Sequence, residues 1–395
     1  MVGSLLSGPL MVYIGQRVVL LISLPIVLIM WLGIAFAPNI IILQISRAAL
    51  GISLGLMGGT ANNFVVEIAH VGIRGNLTSL VDIFRQTGYL YVFIVGSTQL
   101  NWRQVAIVCG ITTTIIPFIG LFLVHSSPRW LATQGKLDEA RKSLVFYRGN
   151  VIEVDSELND ITTQLKRSSN KGNSVSAQFQ LMFHKDNRKR IVIASVLMFA
   201  AFFTAYNLIT TYAVVIFSGF TKGINPYFST IIIGLMRVIG TIIYSLISEK
   251  FERKRLFLIP LSISGCSLGF LAIFLYLKAL KYPLESFDWV PLVLLIIFTL
   301  TNCMAFPVLI LYRSELLPNS VRALSSGLVY VLFFFGNFIT LFSYPYLVDW
   351  IGTHGTFGLY SLFTFLIVLF GYFTLPETRG RTLEEIEEDF KGKKK

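Results

Sequence analysis

The sequence predicts an all-α integral membrane fold built from two pseudo-symmetric helix bundles. Three observations predict it: a scarcity of charge, the recurrence of span-length apolar stretches, and the return of the same charged markers after a fixed interval. Of 395 residues, 54% are hydrophobic and 14% charged, where a water-soluble domain of this length carries about a quarter charged residues. Mean hydropathy is +0.70. Stretches long enough to cross roughly 30 Å of hydrocarbon lie at about 18–37, 40–60, 77–98, 104–124, 191–217, 227–248, 256–278, 289–312, 324–348 and 356–375. A shorter apolar piece, 1–14, precedes them, and it has neither the charged leader nor the cleavage site of a signal peptide.

The net charge of +12 raises the question of nucleic acid, and its distribution answers it. When the spans are threaded alternately, Arg103, Lys222, Lys278 and Lys281 fall on one side. Arg47, Arg85 and Arg237 fall inside spans, and the rest of the 33 lysines and arginines fall on the other side. This is the positive-inside bias, which places the central loop and the C-terminus in the cytoplasm. The bilayer accounts for the charge, and no nucleic-acid partner is expected. Cys109, Cys266 and Cys303 lie in apolar spans, so no disulfide framework is expected. The four scattered histidines show no metal-ligand spacing. The sequon Asn76-Leu77-Thr78 lies at a cytoplasmic helix start and is expected to stay unmodified.

Four regions follow: a first bundle over 1–124, a cytoplasmic linker over 125–190, a six-helix bundle over 191–375 and a cytoplasmic tail over 376–395. Within the linker, Leu137, Ala140 and Leu144 share one helical face, as do Val154, Leu158, Ile161 and Leu165. These helices are either solvated or docked as a gate element. "SSNKGNSVS" (168–176) reads as a flexible connector. In the tail, Pro376 stops the last span, and Thr382 with Glu385 forms a capping box for a new helix.

The duplication is read from charged markers. Glu67 stands seven residues before Arg74 and Glu315 seven before Arg322, the two pairs being offset by 248 positions. "HSSPRW" (125–130) closes the first half as "LPETRG" (375–380) closes the second, and "GQR" (15–17) matches "EKFERK" (249–254). Six spans follow residue 190, while four and a stub precede 125. The count predicts about 11 of 12 spans, with the first span and the outer part of the second lacking.

"PETRGRTLEEIE" (376–387), "SPRWL" (127–131), and Arg47 with Gly51, Gly55, Glu67 and Arg74-Gly75 resemble the signatures of the sugar porter family of the major facilitator superfamily. Within that family the basic tail and cavity look most like the insect facilitated trehalose transporter-like group. The resemblance implies twelve helices in two bundles, a substrate held near mid-membrane, and alternating access by rocking. It further implies that Glu67, Arg74, Arg129, Glu315, Arg322, Glu377 and Arg379 form a cytoplasmic gate that pairs across the bundles and separates as they rock. Plain interfacial anchoring is the alternative. The pattern departs from the family at Val12 and Tyr13, in the first basic turn, and at His125 and Ser126.

By the same resemblance, the substrate is expected to meet Asp82, Asn207, Thr211, Tyr212, Arg237, Phe333, Phe334 and Asn337. Asp82 stands where hexose carriers place a fifth-helix glutamine. In "FFTAYNLITTYA" (202–213) Asn207 and Tyr212 agree with the seventh-helix motif, while a glutamine pair has become Ala201 and Phe202. Arg237 stands at an eighth-helix asparagine and Ile310 at a tenth-helix tryptophan, with Pro307 kept. Phe333 and Phe334 replace asparagine and tryptophan, with Asn337 kept. A charge inside a span costs roughly 2.5–3.5 kcal/mol on insertion scales, so Asp82 and Arg237 call for an explanation. They pair with each other or meet a charged substrate; otherwise Asp82 pairs with Arg85 while Arg237 snorkels or binds carbonyls.

The function expected is facilitative movement of a sugar such as trehalose, a hexose or a related polyol, across the plasma membrane, by a multi-pass carrier without cofactor or metal. A transport-inactive sensor or remnant on the same scaffold and a carrier of a charged small solute are the alternatives. An enzyme is not expected, because no nucleophile–base pair, metal cluster or phosphate loop is visible. Proton coupling stays open, since Asp82 could titrate.

Overall fold

A computed structural model describes residues 2–70, 73–149, 151–169, 182, 184–220, 225–317 and 322–379. The chain divides into two compact units: Met1–Asp82 with Thr98–Ser174, and Ile83–Ser97 with Val175–Lys395. Among the described residues, eight helices are long and apolar enough to cross a membrane. Helices dominate because backbone groups in hydrocarbon have no water to bond and must pair within their own segment.

The first unit holds α1 (Val2–Ile14), α2 (Gln16–Ala35), α3 (Ile40–Ile68) and α5 (Trp102–Leu123), with α2 packed against both α3 and α5. The Asn39 side chain caps α3 by accepting the Ile42 amide at 3.0 Å, and Gln104 reaches back to accept the Asn101 amide at the start of α5. Helices α1 and α3 touch backbone to backbone, since a Cβ on Gly3 would strike Ile52 and one on Gly55 would strike Ser4. Small residues permit such approaches where no hydrophobic force drives helices together. Between α1 and α2 the chain turns at Gly15, whose φ of +81° suits glycine and whose bare Cα faces the Trp130 ring.

The linker helices α6 (Pro128–Thr133), α7 (Leu137–Arg148) and α8 (Val151–Ser169) also belong to this unit. Ala140, Leu144, Val154 and Ile161 are buried, and Leu144, Val154 and Ile161 form one small core. Leu137, expected on the same face, is exposed: as the first residue of α7 it lies beyond the reach of α8. Arg148 grips both Glu157 carboxylate oxygens at 2.8 and 2.9 Å and donates to the Ile68 carbonyl at 2.9 Å. It thereby ties α7 and α8 to the end of α3. Ser143 and Tyr147 add bonds to the carbonyls of Ser126 and His125. These contacts dock the linker helices on the end of α3. The connector expected from 168 starts later, since Ser168 and Ser169 still belong to α8; its remainder, 170–176, and the capping box at Thr382 and Glu385 fall outside the described residues.

In the second unit the apolar stretch 191–217 is not one helix. It divides into α9 (Lys185–Ala200), a 3-10 turn (Ala201–Thr204), α10 (Tyr206–Thr211) and α11 (Ala213–Phe220). The break centres on Ala205, a non-glycine residue held at φ +61°. Hydropathy foresees a span here but is blind to a backbone break inside it. Then come α12 (Pro226–Ile247), α13 (Arg253–Ala279), α14 (Val290–Leu316) and α15 (Arg322–Thr374), the last being two helical segments joined at the non-helical residue Gly352, with φ +72° and ψ +167°. Asn225 caps α12 by accepting the Tyr227 amide at 3.0 Å, with Pro226 in the first turn where its missing N–H costs nothing. Helix α13 packs on α14 and α15, and α9 packs on α15. At the latter contact Gly336 lies against the Phe199 carbonyl, and a Cβ there would collide with it.

The docked linker yields a prediction. Leu144→Ala should cost about 2–4 kcal/mol of local stability. It would be read as faster amide exchange over residues 137–163, with exchange in α2 and α3 unchanged. Unaltered exchange over 137–163 would show that these helices do not depend on their small core.

Candidate functional site

Two charged corners stand at the helix ends that carry the duplicated markers. In the first unit, Glu67 at the end of α3 accepts from Gln16 Nε2 at 2.9 Å and from the Ser127 hydroxyl. Arg129, exposed, is close enough for its charge to act on Glu67. The turn at Gly15-Gln16-Arg17, the end of α3 and the "SPRWL" segment are thus joined at one carboxylate. Nearby, the Val12 carbonyl accepts from Trp130 Nε1 at 3.1 Å and Gln134 Nε2 at 3.2 Å. The bonds at Val12 are thus made by its backbone, and its side chain is exposed.

The second unit repeats the plan. Glu315, one residue before the end of α14, pairs with Arg253 at the start of α13, and Arg253 also donates to Thr378 Oγ1 at 3.3 Å. Glu377 accepts the backbone amides of Arg253 at 3.1 Å and Lys254 at 3.0 Å. These are two of the bare N–H groups that open α13, so Glu377 caps a helix distant in sequence and places charge at its positive end. The same carboxylate accepts the amides of Thr378 and Arg379, while Arg379 donates to the Lys250 carbonyl at 2.7 Å. Tyr312 adds a bond to the Pro376 carbonyl at 3.1 Å. Burial pushes the Glu377 carboxyl upward, and the four amide bonds more than offset it, leaving its pKa below the ordinary 4.5. Of the seven residues expected at the gate, Glu67 and Arg129 come together in the first unit. Glu315, Glu377 and Arg379 come together in the second. The side chains of Arg74 and Arg322 lie outside those described.

A separate polar cluster sits at mid-span in the second unit. Arg237 is eleven residues from Pro226 and ten from Ile247, hence roughly 15 Å from either end of α12 at 1.5 Å per residue. It is 2% exposed, so it does not snorkel. Its Nε donates to Gln86 Oε1 at 2.9 Å, and its Nη1 donates to the Tyr206 carbonyl at 3.3 Å and to the Thr210 hydroxyl. The break at Ala205 adjoins Tyr206, whose carbonyl takes this bond. The guanidinium lies 4.7 Å from the centre of the Tyr89 ring and 4.4 Å from that of Tyr206. Gln86 Nε2 in turn donates to the Tyr206 hydroxyl at 3.0 Å.

Asn207 donates to Asn337 Oδ1 at 3.3 Å, joining α10 to α15. Tyr212 donates to the Leu341 carbonyl at 3.1 Å. Phe333 and Phe334 meet edge to face at 5.4 Å, and Phe202 lies 4.5 Å from Phe333. Thr211 is exposed and Asp82 half-buried. Asp82 belongs to the first unit, and Arg237 bonds only neutral groups. Sequence reading passed over Gln86. It lies four residues after Asp82 on the same helical face of α4 (Arg74–Gly96), and a search for charges inside spans does not register an amide. The signal was faint: an amide one turn after Asp82 and next to Arg85, in a helix that carries several other polar residues.

Two sets of span-end charges with the same plan, and amides, hydroxyls and a cation held at mid-span, define a multi-pass solute carrier of the major facilitator fold. The chain belongs to the family described as "Sugar (and other) transporter", which matches residues 1–390. It is 32% identical over 393 residues to the facilitated trehalose transporter Tret1 of Apis mellifera ligustica, covering 99% of this chain and 77% of that protein. With Tret1 of Bombyx mori the identity is 29% over 388 residues, covering 98% and 76%. The inward open structure of the xylose transporter XylE from E. coli superposes with a TM-score of 0.80 at 22% identity, covering 98% of this chain and 85% of that one. The fucose:proton symporter FucP of E. coli is a more distant likeness, with a TM-score of 0.54 at 14% identity, covering 95% and 88%.

The Glu377 cap gives a pH-dependent prediction. A carboxyl with a depressed folded pKa stabilises fully above its unfolded value and loses that contribution as pH falls through the folded one. Glu377→Gln should therefore lower stability by about 1–2 kcal/mol at neutral pH. In thermal melts of the purified protein, the gap from wild type should close as the pH drops below 4.5. A gap independent of pH would show that the charge on Glu377 contributes nothing to the cap.

Proposed function

We propose that this chain moves a sugar, trehalose or a related hexose or polyol, across the plasma membrane by facilitated diffusion. The observation that carries the reading is the Asn207–Asn337 bond beside Phe333 and Phe334. Neutral amides offer both donors and acceptors to hydroxyl groups, and aromatic faces suit the C–H surface of a sugar ring. The relatives' names add that they carry trehalose by facilitation. Asp82, Thr211, Tyr212 and Arg237 complete the proposed pocket.

In this reading the two corners are the moving latch. Glu67, Arg74 and Arg129 in one half, and Glu315, Arg322, Glu377 and Arg379 in the other, exchange partners as the halves rock. Ion pairs at partly buried helix ends depend steeply on geometry, which makes them suitable latches. The central loop and C-terminus face the cytoplasm, as the distribution of lysine and arginine implies. The chain works as a carrier and catalyses no covalent step.

Uptake of labelled trehalose and glucose into liposomes holding the purified protein tests this. Asn207→Ala should reduce initial uptake about tenfold, the equivalent of one hydrogen bond of about 1.4 kcal/mol, with equal protein per vesicle. A protonophore should leave the steady-state level unchanged. Collapse of an accumulated sugar gradient by the protonophore would replace facilitation with proton symport. Absence of sugar uptake by wild type would remove the carrier reading.

A further inference from the structure

We infer that the Arg237 cluster is an anion-recognition subsite, so that the preferred substrate is a sugar acid or similar polyol bearing a carboxylate. This deepens the carrier reading and rests on it. Gln86, Tyr206 and Thr210 supply only neutral acceptors, and Tyr89 and Tyr206 supply ring faces. No carboxylate pairs with Arg237 among the described residues, although its pKa range keeps it charged under any conditions the protein meets. Its remaining terminal nitrogen, Nη2, is buried and has no hydrogen-bond partner there.

Each feature taken alone has a structural explanation, but together they leave a specific deficit. A buried cation is tolerated when it is paired and its donors are filled. Arg237 has its orientation fixed by two bonded nitrogens and two rings, with one donor group left open. Snorkelling is closed to it at mid-span, so the deficit cannot be relieved by water at a membrane surface. Arg85, one residue before Gln86, adds positive potential at Tyr206, as does Arg237 itself. A positively charged, preoriented fork with an open donor complements a carboxylate far better than a hydroxyl. A purely neutral sugar would leave the charge uncompensated in the bound state.

Tyr206, which walls the guanidinium, opens α10 just after the left-handed residue Ala205. That wall is held by stacking on Phe306 at 4.0 Å as well as by a side-chain bond. Gln86 holds it by donating to the Tyr206 hydroxyl. An entering carboxylate satisfies Nη2 without displacing either bond.

The test compares D-glucuronate with D-glucose, trehalose and potassium chloride at equal concentrations and neutral pH, using the purified full chain. Glucuronate should raise the melting midpoint by several degrees, and the other three by less than a third of that. Arg237→Gln should erase the glucuronate preference, and Arg237→Lys should retain part of it. Equal shifts with glucose, a shift reproduced by chloride, no shift with glucuronate, or a glucuronate preference surviving Arg237→Gln would each overturn the subsite. If Arg237→Gln does not fold, the wild-type comparison decides by itself. Liposome uptake separates the two readings. Glucuronate binding without uptake of any sugar keeps the subsite and removes the carrier; glucose uptake with no glucuronate preference keeps the carrier and removes the subsite.

Discussion

The constraint from which the rest follows is that a group inside hydrocarbon must find its partner within the protein. It turns each apolar stretch into a helix, because only a helix pairs its own backbone. It also makes every interruption a demand on neighbours. The span over 191–217 breaks at Ala205, and the carbonyl of the next residue, Tyr206, accepts from the buried Arg237 on α12.

The helix ends obey the same rule in a wetter setting. The first amides of α13 have no partners of their own, and a carboxylate from beyond the last span supplies them. This explains why a glutamate follows Pro376 where the last helix ends. The proline stops one helix, and the residue after it caps another. The corner in the first unit joins its segments at Glu67 through a glutamine and a serine, where in the second unit Arg253 pairs with Glu315.

The two polar clusters of the second unit differ in chemical character. Asn207 and Asn337 are neutral and bond each other. Each also keeps donors and acceptors for hydroxyls. Arg237 is charged, enclosed and only partly satisfied. A polyol with one acidic end matches both, and this joint fit links the sugar-carrier reading to the anion subsite. Arg148 fixes the docked linker helices to α3, so the first unit carries them as part of one body.

The one-dimensional pattern by itself determined the membrane class, the duplicated halves with Glu67 and Glu315 as matched markers, and the faces of α7 and α8 that carry Ala140, Leu144, Val154 and Ile161. Hydropathy, charge bias and helical period are local or additive properties, readable without knowing what lies opposite. Only the tertiary structure decided that the seventh span breaks at Ala205, that Glu377 caps α13, and that Gln86 rather than a carboxylate meets Arg237. Each of those depends on which groups from distant parts of the chain arrive at one point. Hydrogen bonding is short-ranged and directional, so composition and spacing cannot show that arrival.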